Sequence, residues 1–189
     1  MEKINKLMVC GYGEHGKDEA CRYIAEKTTL RYKLSTSEMF AEIVFAAVGA
    51  HMGYKNVQEC WDDRRNHRQL WYEIIVDQNA NLRVYHAHLL MTDILNGIRN
   101  PAEFKQLLQE NIVQLAIWVD ASVRKASTIS SECKITPDMC HVYIDNNRDL
   151  PYLYSQLDSV INRYLRHHAL PSPNTRAMVS SPTFGGIAI

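Results

Sequence analysis

The stretch Gly11-Tyr12-Gly13-Glu14-His15-Gly16-Lys17-Asp18 constrains this chain more than any other. It follows directly on the short apolar run Lys6-Leu7-Met8-Val9-Cys10, which reads as a buried parallel strand. Asp18 to Lys27 reads as a helix, with Ala20, Cys21, Ile24 and Ala25 on one face and Glu19, Arg22 and Glu26 outside. A strand, a turn of the form G-x-x-x-x-G-K and a helix together make a cradle for phosphate. Glycines let the backbone wrap an anion with its N–H groups turned inward. The helix beginning near Gly16 adds its positive dipole end, and Lys17 reaches the terminal phosphates. The plain alternative is a glycine-rich turn with a chance lysine, and the strand before and helix after argue against it.

Asp18 stands where Ser or Thr is usual and would contact Mg²⁺. A carboxylate is a good hard ligand, so Asp18 is expected to bind the metal or to take a proton from an attacking hydroxyl. A simple helix-start carboxylate is the structural alternative. Gly11, Gly13, Glu14, His15, Gly16, Lys17, Asp18 and Glu19 form the expected triphosphate site.

The remaining pattern alternates strands and helices. Tyr32–Leu34 reads as a short strand. Ser35 followed by Glu38 makes a capping box before a helix to about Ala50. Gly53 to Asp63 reads as a break, Arg64 to about Asn79 as a polar helix, and Leu82 to Met91 as another helix. Asp93–Gly97 is the next strand, and Pro101 to Glu110 a helix with proline in its first turn. Val113–Val119 and His141–Ile144 are strands, and Leu153–Leu165 is an amphipathic helix. This order predicts a three-layer α/β/α sandwich with a mostly parallel, five-stranded sheet. Its functional loops would lie at the strands' carboxyl ends. The expected organisation is one domain over 1–166, containing a substrate segment (51–80) and a lid (122–136), followed by an extended or disordered tail (167–189).

Composition narrows the function classes. Lys plus Arg and Asp plus Glu are both 21, so the formal charge is zero, which argues against holding nucleic acid by bulk positive charge. No stretch approaches the roughly 20 apolar residues of a membrane span. Cys10, Cys21, Cys60, Cys133 and Cys140 fit neither a disulfide framework nor a zinc knuckle and read as free thiols of a reducing cytoplasm. His86, His88, His167 and His168 lack a metal-ligand spacing.

Gly-x-x-x-His-Gly-Lys-Asp placed this early is similar to the phage deoxynucleoside monophosphate kinases and their relatives in the P-loop kinase superfamily. Asn96-Gly97-Ile98-Arg99-Asn100-Pro101-Ala102-Glu103-Phe104 resembles the strand-end Arg and acidic helix start of those enzymes. With Ile117–Ala121, Val142–Asn147 and Trp61–Tyr72, the resemblance is closest to phage 5-hydroxymethyldeoxyuridine DNA kinases. It spans roughly residues 6 to 165. It implies a P-loop NTPase sandwich of nucleoside monophosphate kinase type, using ATP and Mg²⁺ in the host cytoplasm. The implied reaction phosphorylates the hydroxymethyl group of 5-hydroxymethyluracil in DNA. A deoxynucleoside monophosphate kinase and a non-catalytic nucleotide-binding protein are the alternatives.

Other residues are weighed beside that resemblance. Arg99, at a strand end, is expected to clamp a phosphate, or else to pair with Glu103. Asp62, Arg64, Arg65, Arg68, Trp71 and Tyr72 are substrate-binding candidates, with Asp63 or Asp62 as a base. A solvated helix start and a core Trp71 are their structural alternatives. Arg124 and Lys125 are lid candidates, and Asn146 and Asn147 are candidates for the adenine edge or plain turn residues. The usual strand-end carboxylate is missing at Asn96-Gly97.

Overall fold

The computed structural model of the chain describes residues 3–125 and 133–170. Its sheet holds strands β1 (Leu7–Cys10), β2 (Ile94–Asn96), β3 (Leu115–Asp120) and β4 (Val142–Asp145) in the order β2-β1-β3-β4. All neighbours are parallel, with Val9 opposite Asn96, Cys10 opposite Trp118 and Asp120 opposite Asp145. The chain leaves β1 for β2 on one side and then crosses to β3 on the other. That crossover opens a crevice at the carboxyl end of β1.

The pleat divides the core. Leu7, Val9, Ile94, Leu115, Ile117 and Val119 face one side and pack on α1 (Lys17–Lys27) and α7 (Leu150–Tyr164). Met8, Cys10, Leu95, Ala116 and Trp118 face the other side. There they meet Phe40 of α2 (Thr36–Met52), Tyr85 of α5 (Arg83–His88) and Phe104 and Leu107 of α6 (Pro101–Gln109). Strands buried on both faces need continuous apolar sequence, which is what β1 and β3 carry. A third cluster joins Ala41 and Val44 of α2 to Cys60 of α3 (Val57–Asp63) and Trp71 of α4 (Arg68–Gln78).

Several expectations change. The described sheet has four strands, not five. The segment expected as a strand at Tyr32–Leu34 makes no ladder with β2: the backbone bonds come from Arg31 just before it, whose O accepts from both Asp93 N (2.8 Å) and Ile94 N (3.2 Å). The break at 53–63 contains a helix. Gly53 ends α2 with φ 77°, and Asn56 then caps α3 by accepting from Glu59 N at 2.9 Å. The helix expected from Arg64 begins at Arg68, after a turn closed by Asn66 N to Asp63 O and His67 N to Arg64 O. The Ser35 capping box is present, with both reciprocal bonds made.

The start of the expected tail is also part of the fold. His168 O accepts from Thr29 N (2.8 Å) and Lys27 O accepts from Leu170 N (2.9 Å), so residues 167–170 pair with the end of α1. The rest of the expected tail, 171–189, and positions 126–132 of the expected lid lie outside the described residues. No helix among the described residues is long and apolar enough to cross a membrane.

Asp93 fastens the segment before α2 to β2. Burial would raise its pKa, but bonds from the Arg31 side chain and backbone, with the charges of Arg31 and Lys6, outweigh this and hold it at about 2, below the ordinary 3.8. A depressed folded-state pKa means stability that is present above the unfolded value and lost as pH falls through the folded one. Urea denaturation should therefore show Asp93→Asn less stable than the parent at neutral pH, with the difference shrinking as pH falls from about 4 to about 2.

Candidate functional site

The loop after β1 is shaped by two glycines. Gly11 has φ 144°, and a Cβ there would lie 2.4 Å from Val119 O. Gly16, the N-cap of α1, has φ 88°, and its Cβ would lie 2.3 Å from Asn146 Nδ2. Both positions combine a left-handed backbone with a close neighbour, so a side chain is excluded twice over. Glu14 also takes positive φ (64°), a conformation that costs a non-glycine residue about 1 kcal/mol or more.

A cleft of about 350 Å³ opens beside this loop. It is lined by Gly13, Glu14, Lys17 and Asp18 from the loop and α1, and by Arg64, Arg65, Arg68 and Arg99. Trp61, Trp71, Tyr72 and Tyr85 supply aromatic surface. The first turns of α2 (Ser35–Glu38) and α6 (Asn100 and Glu103) also reach the lining. Three helix N-termini and five cationic side chains therefore border one cavity, which favours an anion there.

The cations are held in place. Lys17 Nζ donates to Tyr12 O at 2.6 Å. Burial, and then the Arg99 charge, push its pKa down. Two neighbouring cations of this kind are relieved by an anion placed between them. The Arg68 guanidinium lies against Gly13, with Nη1 3.8 Å from where a Cβ would stand. Arg64 stacks over the Trp61 ring at 3.6 Å and donates to Trp61 O at 2.9 Å. Trp61 in turn meets Trp71 edge-on at 6.0 Å. Trp71 serves both readings, since it is buried in the third cluster and also lines the cleft.

Other candidates lie elsewhere. Neither Asp62 nor Asp63 lines the cleft. Asp63 accepts from Tyr54 Oη and Asn66 Nδ2, both at 2.6 Å, and pairs with His67 at 3.0 Å; these bonds lower its pKa and fix it on the outside of α3. Asp62 is exposed and bound by Gln58. Glu19 faces α7, where Tyr154 Oη donates to it at 2.6 Å and Arg22 pairs with it.

His15 is buried rather than turned to the cleft. Its Nδ1 accepts from Ala121 N at 3.0 Å, and burial pushes its pKa down, so the neutral ring fixes the loop to the end of β3. Asn146 donates to His15 O at 2.9 Å, and Asn147 bridges Asp145 Oδ1 (2.7 Å) and Val123 N (2.8 Å). These amides bind protein. Arg124 donates from Nε to Asn146 O beside Gly16, and Glu14 pairs with both Lys125 and Arg65 across the mouth of the cleft.

Asp18 fits a divalent cation. Asn96 Nδ2 donates to Asp18 Oδ1 at 2.6 Å and to Tyr32 Oη at 3.0 Å. Asn96 Oδ1 is buried without a hydrogen-bond partner among the described residues, and both side chains line the cleft. The Asp18 carboxylate, braced by the Asn96 NH₂ and facing the cleft, is a suitable hard donor for Mg²⁺.

Trp61 and Tyr85 are cleft residues that sequence patterns left without a role, and Glu103, read there only as an acidic helix start or a partner for Arg99, also lines the cleft. For Trp61 the signal was its i,i+3 spacing to Arg64. For Tyr85, which is 2% exposed, there was none.

No family model matches this sequence, and no curated protein matches it. Among solved structures, a sugar kinase from Janibacter sp. HTCC2649 is similar at 15% identity and TM-score 0.47, over 86% of this chain and 95% of that one. Likeness at that level bears on neither fold nor function.

Gly16→Ala should lower stability by roughly 1–3 kcal/mol, because the methyl group must displace the Asn146 amide in a left-handed backbone. Thermal denaturation measures it.

Proposed function

We propose that this protein is a P-loop phosphotransferase that moves the terminal phosphoryl group of ATP onto a nucleotide held in the cleft. One observation carries the reading: the glycine loop with Lys17 and Asp18 shares a single cavity with four arginines and a set of aromatic rings. Loop and lysine suit the donor triphosphate, arginines suit the acceptor's phosphate, and rings suit its base.

Asp18, oriented by the Asn96 NH₂, would hold Mg²⁺, which when bound offsets charge on the phosphates. Lys17 leaves Tyr12 O and binds the terminal phosphate oxygens. Arg99 sits close enough to Lys17 to lower its pKa, and so faces the same charge as it spreads in the transition state. The bond from the terminal phosphorus to the acceptor oxygen forms as that to the bridging oxygen breaks, and ADP leaves. When the acceptor is a hydroxyl, its proton goes to the product phosphate if Asp18 is the metal ligand, or to Asp18 itself if it is not. Little covalent help is needed, because phosphoryl transfer is mostly positioning and electrostatics.

The first acceptor is the hydroxymethyl group of 5-hydroxymethyluracil in DNA, as the sequence resemblance implies. Contacts made by a few arginines, in a chain of zero net charge, suit brief engagement of DNA. A free deoxynucleoside monophosphate is the second reading. The placement of Arg68 against Gly13 favours it, since cations stand where an acceptor phosphate would meet the donor.

Labelled ATP distinguishes these readings. Label in hydroxymethyluracil DNA supports the first, label in a nucleoside diphosphate the second, and transfer to neither supports a non-catalytic binder. Lys17→Ala should reduce transfer by about 100-fold or more. A variant with the parent's rate would overturn the P-loop assignment.

A further inference from the structure

The cleft has an acidic floor that the transfer chemistry does not use. Glu103, in the first turn of α6, is 8% exposed and lines the cleft. Two neutral donors hold it: Asn79 Nδ2 binds Oε1 at 2.8 Å and Tyr85 Oη binds Oε2 at 3.3 Å. Burial outweighs these bonds and pushes its pKa up. Each carboxylate oxygen offers two lone-pair directions, so each retains one after these bonds.

The supports of Glu103 are built at a cost. Asn79 ends α4, is 2% exposed, and accepts through Oδ1 from Val84 N (3.1 Å) and Tyr85 N (3.4 Å). Between these residues Asn81 and Leu82 both take left-handed backbone, at φ 54° and 56°. That kink turns the chain into α5 and brings the 2% exposed Tyr85 to Glu103. Strain of this kind persists where surrounding contacts over-determine it, and such places cluster at ligand sites.

A buried carboxylate beside an arginine-lined cavity cannot serve the phosphate, which it repels. It is suited to a neutral group that donates a hydrogen bond. Trp71 and Tyr72 line the same cleft and favour a planar ring.

We infer that Glu103 is a specificity-determining residue of the cleft, accepting a hydrogen bond from a ring N–H of the acceptor nucleotide's base. The inference rests on the reading of the cleft as an acceptor site. Thymine-like and guanine-like bases share this chemistry, each carrying one ring N–H donor. Adenine and cytosine have no such group in their neutral forms. A site built around a hydrogen bond rejects a ligand that cannot make it, because the buried partner is then left unpaired.

The test compares binding of thymidine monophosphate with its N3-methyl derivative, and of deoxyguanosine monophosphate with its N1-methyl derivative, by calorimetry on the full chain. Wild-type protein should prefer the unmethylated member of at least one pair by about tenfold or more. The pair that responds identifies the base. Equal binding within both pairs, or binding to none of the four, overturns the inference, and this arm needs no variant.

In Glu103→Gln the amide must turn its oxygen to Asn79, leaving its NH₂ as a donor where the carboxylate accepted. The preference should disappear while the ATP-induced rise in melting temperature stays, which shows the fold and donor site intact. A preference that survives in Glu103→Gln also overturns the inference. Failure of the functional reading looks different: base discrimination would persist with no phosphate transferred from ATP to any acceptor.

Discussion

The candidate site depends on how closely the backbone leaving β1 crosses the end of β3. At Gly11 no Cβ fits between the chain and the carbonyl of Val119. Four residues later His15 is pulled inward, and its ring accepts the Ala121 N–H just past β3. The loop is thus fastened at both ends to the neighbouring strand, and Gly16 places the start of α1 against Asn146. This contact aims the α1 N-terminus and Lys17 into the crevice where the chain reverses its direction across the sheet. Lys17 is held by the carbonyl of Tyr12 in the same loop, so its position also follows from this crossing.

The rest of the cleft concentrates charge that the chain as a whole balances. Five of the 21 basic residues line one cavity, so zero net charge says nothing about the field there. Three of them are held by neighbours of different kinds: a carbonyl for Lys17, an indole face for Arg64, a carboxylate of the loop for Arg65. Arg64 over Trp61 links charge to the third core cluster through the Trp61–Trp71 contact.

What was legible in the sequence was short in range. Ser35 and Glu38 are three residues apart, and the capping box they announce is present. Apolar runs at Leu7–Cys10 and Leu115–Val119 sit in the sheet because strands buried on both faces need them. The helix at Val57–Asp63 was hidden because Gly53 reads as a stop, while the restart at Asn56 is a single capping residue. Tyr32–Leu34 has the composition of a strand but fails to pair, because Arg31 O takes two N–H groups and the Arg31–Asp93 ion pair holds the segment instead.

Sequence alone determined the loop, its lysine, the flanking strand and helix, and the alternation that builds a parallel sheet, since each is set by neighbours a few residues apart. Tertiary structure alone decided which charged groups meet. Asp63 and Glu19 carry the right chemistry but are turned by their helices toward Tyr54 and Tyr154. Glu103 and Tyr85, 18 residues apart, are joined by a hydrogen bond at the lining of the cleft. Asn96 meets Asp18 across 78 residues of chain. Contacts of that separation depend on strand order and helix rotation, which no local pattern of residues encodes.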